Sequence, residues 1–319
     1  MTDNRYPHGN RKSRWPRKRR RGASPPMSPE RRQEIADLAE AVSEEFCSTG
    51  PVDLVHVAYQ KKISTSFGAY GDGFDGMLEY KDGRFHIFCN LDRLGCPDSP
   101  RARFTMAHEL GHYYIDGHRN LLASGDIPPH LSRCEFESSQ LAEQEADHFA
   151  ANFLMPEGRF RKTGKGKETG FACILKLAKE FGTSLTSTAV RYVSLDMFPC
   201  ALIKWHWHGY RWKSFSSSMF RRYFLQMFEV PEKLAEDCAT LKALAQEIVP
   251  DCGYFQNGTL SSAWFPFVRH DDFLDVVLVE EAIPLGRYGA LTLLSAMPDC
   301  SILKKNPTVP RWPRETGVL

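Results

Sequence analysis

The sequence of 319 residues predicts an α+β fold, because helical and strand-like stretches are both well represented. Residues 100–117 and 138–154 have helical character, and residues 67–90 contain strand-like runs separated by glycine turns. Beyond residue 200, strand-like runs at 201–207, 274–280 and 289–294 surround a helical stretch at 231–248. The chain is therefore expected to contain a first mixed region and a C-terminal α+β region.

The helical starts and spacings support this assignment. Ser28 can cap a helix and Pro29 suits its first turn, and apolar residues then recur at helical spacing up to Phe46. Further helices are predicted at 171–180 and 185–194. Residues 52–60 fit a helix or a strand equally well.

Composition predicts a cytoplasmic protein. Hydrophobic residues make up 42% and charged residues 25%, which is the balance of a globular chain. No run of 18 apolar residues occurs, so no membrane span is expected, and the N-terminus lacks the apolar stretch of a secretory signal. The nine cysteines are scattered without a Cys-x-x-Cys pair, as expected for reduced thiols.

Residues 1–29 form a basic tail. They hold nine Lys/Arg against one Asp, a net charge of +8, which leaves −6 for the rest of a chain whose total is +2. The tail is proline-rich and nearly free of aliphatic residues, so we predict disorder. A solvated tail is the interpretation we favour; weak contact with nucleic acid is the alternative.

The strongest chemical signal is the His-Glu-Leu-Gly-His sequence at 108–112. Residues four apart share one helix face, so His108 and His112 can present both imidazoles to one metal ion. Glu109 can then take a proton from a water molecule that the metal activates. Gly111 costs about 1 kcal/mol relative to Ala inside a helix, which predicts a close packing contact there.

A catalytic zinc site needs a third protein ligand, and residues 143–151 supply candidates on a second helix. Glu143 and Asp147 lie four apart and share a face. Glu143 would bind the ion, and Asp147 would accept a hydrogen bond from the distal nitrogen of a ligand histidine. Glu145 lies about 200° around the helix from Glu143 and is predicted to be a solvated charge.

His118 is a rival third ligand at the spacing of three-histidine peptidases. In those enzymes the helix breaks at a glycine three residues after the second histidine, and that position here is Ile115. We therefore predict that His118 is a loop histidine near the site. His118, Tyr113 and Tyr114 are all candidates for stabilising an oxyanion. Gly125, Pro128 and Pro129 predict a surface loop before Glu143.

These residues resemble the ImmA/IrrE family of metallopeptidases. The resemblance rests on residues 101–113, which contain the histidine motif, and on Glu143-x-x-Ala-Asp147-x-Phe-Ala-Ala-x-Phe-Leu-Met155-Pro156. In the second block, Phe153 stands where the family pattern has a leucine. A weaker similarity continues from Gly182 to Tyr192.

The resemblance implies a zincin-like metallopeptidase domain with an active-site helix, spanning residues 30–210. It also implies ligation of Zn²⁺ by two histidines and one glutamate, a cytoplasmic location, and a protein substrate that is a DNA-binding transcriptional repressor in a stress or mobile-element response. Residues 211–319 are expected to form a C-terminal α+β region, for which the family pattern gives no role.

The predicted reaction is therefore hydrolysis of a peptide bond by metal-activated water. His108, His112 and Glu143 are the predicted metal ligands, and Glu109 is the predicted general base and acid. The leading alternative is a non-proteolytic regulator that binds a repressor or DNA and whose metal site is structural. A metal-dependent hydrolase acting on a non-peptide bond is a third interpretation.

Overall fold

The computed structural model describes residues 27–126, 130–132, 141–219, 231, 234–246, 248–264 and 277–296. Within them the predicted α+β fold is confirmed. The helices are α1 (Pro29–Phe46), α2 (Leu54–Gln60), α3 (Leu91–Leu94), α4 (Pro100–Tyr114), α5 (Asp116–Ser124), α6 (Leu141–Leu154), α7 (Glu157–Gly164), α8 (Gly170–Phe181), α9 (Leu185–Ser194), α10 (Ala239–Leu244) and α11 (Ser261–Trp264).

The strands form two separate sheets. They are β1 (Ser64–Gly68), β2 (Gly76–Lys81), β3 (Arg84–Asn90), β4 (His130–Ser132), β5 (Cys200–His206), β6 (Gly209–Phe215), β7 (Phe255–Leu260), β8 (Val277–Pro284) and β9 (Ala290–Ala296). The first sheet has the order β1-β3-β2-β4, in which only β1 and β3 pair in parallel, and the second has the antiparallel order β6-β5-β9-β8-β7.

Two of the long helices begin with the same local chemistry. Ser28 accepts a hydrogen bond from the backbone N–H of Arg31 and precedes Pro29, and Ser99 does the same for Ala102 before Pro100. Each serine satisfies one of the backbone donors that a helix start leaves open, and proline has no N–H to leave unsatisfied there. The helix start predicted at Ser28 is therefore confirmed.

The helix predicted at 100–117 is shorter than expected. Ile115 adopts an extended conformation (φ −78°, ψ 106°) and ends α4 after Tyr114, and α5 begins at the next residue. The helix α5 ends at Ser124 and is capped by Gly125, the first residue of the loop predicted before Glu143, whereas Pro128, Pro129 and residues 133–140 lie outside the described residues. Ile115 is buried, so its side chain fixes the change of direction in the core.

Several other predicted boundaries need adjustment. Residues 54–60, which fit a helix or a strand, are helical because Asp53 caps them. Within the described part of 231–248, only 239–244 is helical, and the strand predicted at 274–280 is observed at 277–284. Residues 1–26 of the basic tail lie outside the described residues, and Met27 is buried.

The second sheet is covered on both faces. One face contributes Leu202, Leu291 and Leu293 to the large core that it shares with the helices of the first region. The other face packs in a smaller core with α10. Its first strand begins at Cys200, so the predicted boundary at residue 210 falls inside the β5–β6 hairpin.

Adjacent glutamates on β8 bind helices on opposite sides of this sheet. Glu280 accepts a hydrogen bond from the backbone N–H of Thr240 at the start of α10 (2.8 Å). Glu281 accepts one from the backbone N–H of Phe171 at the start of α8 (3.2 Å). Successive side chains of a strand point to opposite faces, and carboxylates are favourable at helix N-termini. The pair therefore joins the sheet to a helix on each face.

Among the described residues, none of the helices combines the length and the apolar character that a bilayer span requires.

Candidate metal centre

Three buried side chains converge where α4 packs against α6. His108 and His112 lie one turn apart on α4, and Glu143 lies in the first turn of α6. The two Nε2 atoms are 3.1 Å apart. The Glu143 carboxylate oxygens lie 3.5 Å from Nε2 of His108 and 3.3 Å from Nε2 of His112. Because one ligand atom from each side chain lies within 4.8 Å of the others, the group could bind a metal ion.

Gly111 permits the close approach of the two helices that carry the site. A Cβ atom at this position would lie 3.2 Å from the Ala146 carbonyl oxygen and 3.2 Å from a ring carbon of Phe149. Backbone atoms cannot yield as a flexible side chain can, so a larger residue would push the helices apart. The close packing contact predicted for Gly111 is confirmed.

Asp147 contacts His108 at the ring nitrogen that points away from Glu143. Its Oδ1 atom lies 2.8 Å from Nδ1 of His108, and it is one turn beyond Glu143 on α6. A carboxylate accepts the Nδ1 hydrogen, which leaves the lone pair of the imidazole on Nε2, the atom that faces Glu143. The contact matches the role predicted for Asp147.

Glu145 faces away from this convergence point and is not the solvated charge that we predicted. It is buried, and its two carboxylate oxygens accept hydrogen bonds from Nε and Nη2 of Arg31 at 2.9 Å and 3.0 Å. Burial alone would raise the pKa of Glu145. The bonds and charge of Arg31, together with the facing His118, outweigh burial and hold that pKa below its ordinary value. The prediction that Glu145 points away from Glu143 was correct, but its ion pair with Arg31 on α1 was not predicted.

His118 lies near the site as predicted, but on a helix rather than a loop. It is in the first turn of α5, and its Nδ1 is 3.1 Å from Nδ1 of His112. It therefore contacts the edge of His112 that is opposite Nε2. Tyr114 stacks on Phe149, with ring centroids 5.6 Å apart. These contacts do not favour His118 or Tyr114 for oxyanion stabilisation.

Glu109, on α4, is fully buried and lies beside the first residue of β2. A Cβ atom added to Gly76, the first residue of β2, would lie 2.6 Å from Glu109 Oε1 and 2.5 Å from Cγ2 of Thr105. The absence of a side chain at position 76 therefore leaves space for the carboxylate. Glu109 is therefore a buried carboxylate next to a histidine of the group that could bind a metal ion, a suitable place for proton transfer.

Sequence reasoning missed two residues that shape this centre, Gly76 and Arg31. Both lie in other elements, 33 and 77 positions before Glu109 and His108 respectively. Their relation to the site arises only when β2 and α1 pack against α4 and α6, so no local spacing signals it.

Residues 96–192 match a family model described as the IrrE N-terminal-like domain, Peptidase_M78. The matched segment contains His108, Glu109, His112 and Glu143, and the resemblance to the ImmA/IrrE family is confirmed. The match supports a metallopeptidase-type function. A solved structure described as a Mycobacterium tuberculosis transcriptional regulator is similar, with 16% identity, a TM-score of 0.48 and coverage of 89% of this chain and 96% of that one. No curated protein matches the chain.

Proposed function

We propose that this protein is a zinc-dependent endopeptidase that cleaves a DNA-binding transcriptional repressor. His108, His112 and Glu143 are the proposed zinc ligands and Glu109 the proposed general base and acid. The observation that supports this most directly is the convergence of two imidazoles and one carboxylate beside a buried glutamate. Two histidines and a glutamate form a known ligand set of catalytic zinc.

The donor spacing fits zinc. Two ligand atoms about 2.1 Å from a zinc ion and about 109° apart are separated by about 3.4 Å. In this site the two histidine Nε2 atoms are 3.1 Å apart, and each faces a different Glu143 oxygen, at 3.5 Å for His108 and at 3.3 Å for His112. When bound, zinc would supply Lewis acidity, lowering the pKa of water and polarising the scissile carbonyl.

Glu109 would move the proton during hydrolysis. The attacking water forms a bond from its oxygen to the carbonyl carbon and gives a proton to the Glu109 carboxylate. The bond from carbon to nitrogen then breaks, and Glu109 returns the proton to the leaving amine. Burial of Glu109 excludes bulk water from this transfer, and the missing side chain of Gly76 leaves room for the carboxylate in this position.

The choice of a repressor as substrate rests on the family resemblance, and a cytoplasmic location is proposed with it. The seven cysteines in the described residues are all free thiols, which agrees with a reducing compartment. We also propose that the peptidase unit ends near residue 199, because β5 already belongs to the second sheet. The C-terminal α+β region then covers about residues 200–319.

A comparison of wild-type protein with Glu109→Gln tests this function. Each is loaded with zinc and incubated with a native proteome of the source cell, and new N-termini are mapped by mass spectrometry. We expect Glu109→Gln to retain zinc and to slow cleavage by about 10²- to 10⁴-fold. Exposed Glu44 on α1 provides a matched control, since Glu44→Gln should cleave as wild type does.

Each result has a distinct meaning. New N-termini in a DNA-binding repressor, made by wild type alone, would support the full proposal. If only other proteins were cut, the proposed substrate would be contradicted, but the proposed peptidase activity would stand. If the wild type makes no cuts while Glu109→Gln still relieves repression of a reporter, the non-proteolytic regulator becomes the better account.

A further inference from the structure

We propose that His118, Glu145 and Arg31 act as positioning residues that fix the tautomer and orientation of His112. The three form one continuous hydrogen-bonded chain that begins at the edge of His112 opposite its proposed ligand atom. The inference rests on the metal centre of the proposed function and extends it to residues that lie outside the ligand set.

The first contact of the chain requires a defined hydrogen. Nδ1 of His112 and Nδ1 of His118 are 3.1 Å apart, so one of them donates and the other accepts. Nε2 of His112 faces Nε2 of His108 and the Glu143 carboxylate. An imidazole that binds a metal through Nε2 carries its hydrogen on Nδ1. His112 is therefore the donor and His118 the acceptor.

The second contact selects the tautomer of His118. Its Nε2 lies 3.0 Å from Oε2 of Glu145, and a carboxylate can only accept. The hydrogen of His118 must therefore be on Nε2, which leaves the lone pair on Nδ1 to receive the hydrogen of His112. The opposite tautomer would place two lone pairs against each other at Glu145. The side chains of His118 and Glu145 are 12% and 7% exposed, so water offers little compensation.

Arg31 completes the chain by fixing Glu145. It donates to both carboxylate oxygens, a paired geometry that holds the plane of the carboxylate as well as its position. Arg31 is on the first helix, 114 residues before Glu145, so α1 becomes part of the support of the metal centre. Its other acid partner, Glu34, is on the same helix and 65% exposed.

The two histidines are thus oriented by different means. His108 donates from Nδ1 directly to Asp147 on α6, whereas Nδ1 of His112 is linked to Glu145, on the same helix, through His118. Residues that orient metal-ligand histidines typically change metal affinity by about 10- to 100-fold when replaced. A merely structural role for His118 would change stability without changing the tautomer of His112.

The proposed series of hydrogen bonds is tested by the zinc affinity of the full-length protein, measured by competition with a chelator. We expect His118→Ala and Glu145→Gln each to weaken zinc binding by about 10- to 100-fold. Their combination should be no weaker than His118→Ala alone, because both act through one path. Glu34→Gln, which removes only the exposed partner of Arg31, should bind as wild type does.

His118→Asn is the conservative variant. The amide oxygen of asparagine can take the place of the accepting Nδ1, so we expect it to restore most of the affinity lost in His118→Ala. Unchanged zinc affinity in His118→Ala, or equal loss in Glu34→Gln, would overturn the proposal. In either case zinc binding by wild type would leave the proposed function intact.

Ring ¹⁵N chemical shifts of the metal-free protein give a readout that does not depend on zinc. Wild type should show His112 with its hydrogen on Nδ1, and His118→Ala should show a mixture of tautomers. A wild type that binds no zinc would contradict the proposed function, and the shifts would still decide the tautomer. The hydrogen on Nε2 of His112 in wild type would overturn the inference.

Discussion

The two sheets of this molecule are associated with buried charges of different kinds. Beside the first sheet, His108, His112 and Glu143 point their donor atoms at one another between α4 and α6. In the second sheet, Glu280 and Glu281 point to opposite faces and each accepts from the first turn of a helix. Buried ionisable groups that converge on one point suggest a binding or catalytic site. Buried carboxylates that point away from each other, each toward the start of a helix, suggest a role in holding the fold together.

The difference shows in what replacement should change. Replacing a residue of the convergent group is expected to change metal binding or catalysis, whereas replacing a residue of the divergent pair is expected to change the stability of the joined sheet and its pH dependence. Burial alone does not separate the two classes, since Glu109 and Glu280 are both fully buried. The two classes are distinguished by the groups that contact each carboxylate.

The largest expected effect on stability comes from Glu281→Gln. Burial raises the pKa of Glu281 from 4.5 to about 7, although the Phe171 N–H and Tyr254 favour the charged form. Between these values the unfolded chain has lost the proton that the folded protein keeps, so the unfolding free energy of wild type falls as pH rises through this window. The full loss is about 3 kcal/mol at most.

Urea unfolding at pH 5 and pH 8 measures this difference. Glu281→Gln cannot ionise, so its stability relative to wild type should increase between the two pH values while its zinc content stays unchanged. Glu236→Gln, at an exposed position, should follow wild type at both. If wild type and Glu281→Gln showed the same pH dependence of stability, the stability role assigned to the glutamates of the second sheet would be contradicted.

Gly76→Ala sharpens the comparison at the first sheet. The added methyl group would meet Cγ2 of Thr105 at 2.5 Å and Glu109 Oε1 at 2.6 Å, so the carboxylate would move together with the Thr105 side chain. Because displacement of a catalytic group by about 1 Å can cost about 10²-fold, we expect kcat/KM to fall by that order with zinc still bound. Gly73, around which a Cβ would meet nothing within 4 Å, provides the control Gly73→Ala. Loss of zinc together with activity would show that the glycine supports the ligands instead.

Asp147→Ala should have a smaller effect, confined to metal affinity. Without the acceptor at 2.8 Å from Nδ1, His108 is free to place its hydrogen on Nε2. Zinc affinity is expected to fall by about 10- to 100-fold, measured by chelator competition. Asp37→Ala, on the exposed side of α1, is the matched control. Wild-type affinity in Asp147→Ala would assign the contact a structural role only.

Much of this site could be predicted because its geometry is local to two helices. The four-residue spacing of His108 and His112, and of Glu143 and Asp147, sets their faces whatever the rest of the fold does. The helix start at Ser28 was likewise predicted from the cap and the proline that follows it, and the structure shows the same combination at Ser99.

Contacts between distant elements could not be predicted in this way. The environment of Glu145 depends on Arg31, and the position of His118 depends on the extended backbone of Ile115, which starts a new helix. The start of the second sheet at Cys200 depends on pairing with Ser295 of β9, which lies 95 residues later in the chain. Each of these features depends on packing between distant elements, which the periodicity of the sequence does not reveal.

Metal content of the purified full chain, by elemental analysis after equilibration with zinc, tests the central claim most directly. The account predicts about one zinc per chain in wild type, none in Glu143→Ala, and retained stoichiometry with weaker affinity in Glu145→Gln. Absence of zinc from wild type, or a full zinc complement in Glu143→Ala, would contradict the proposed ligand set.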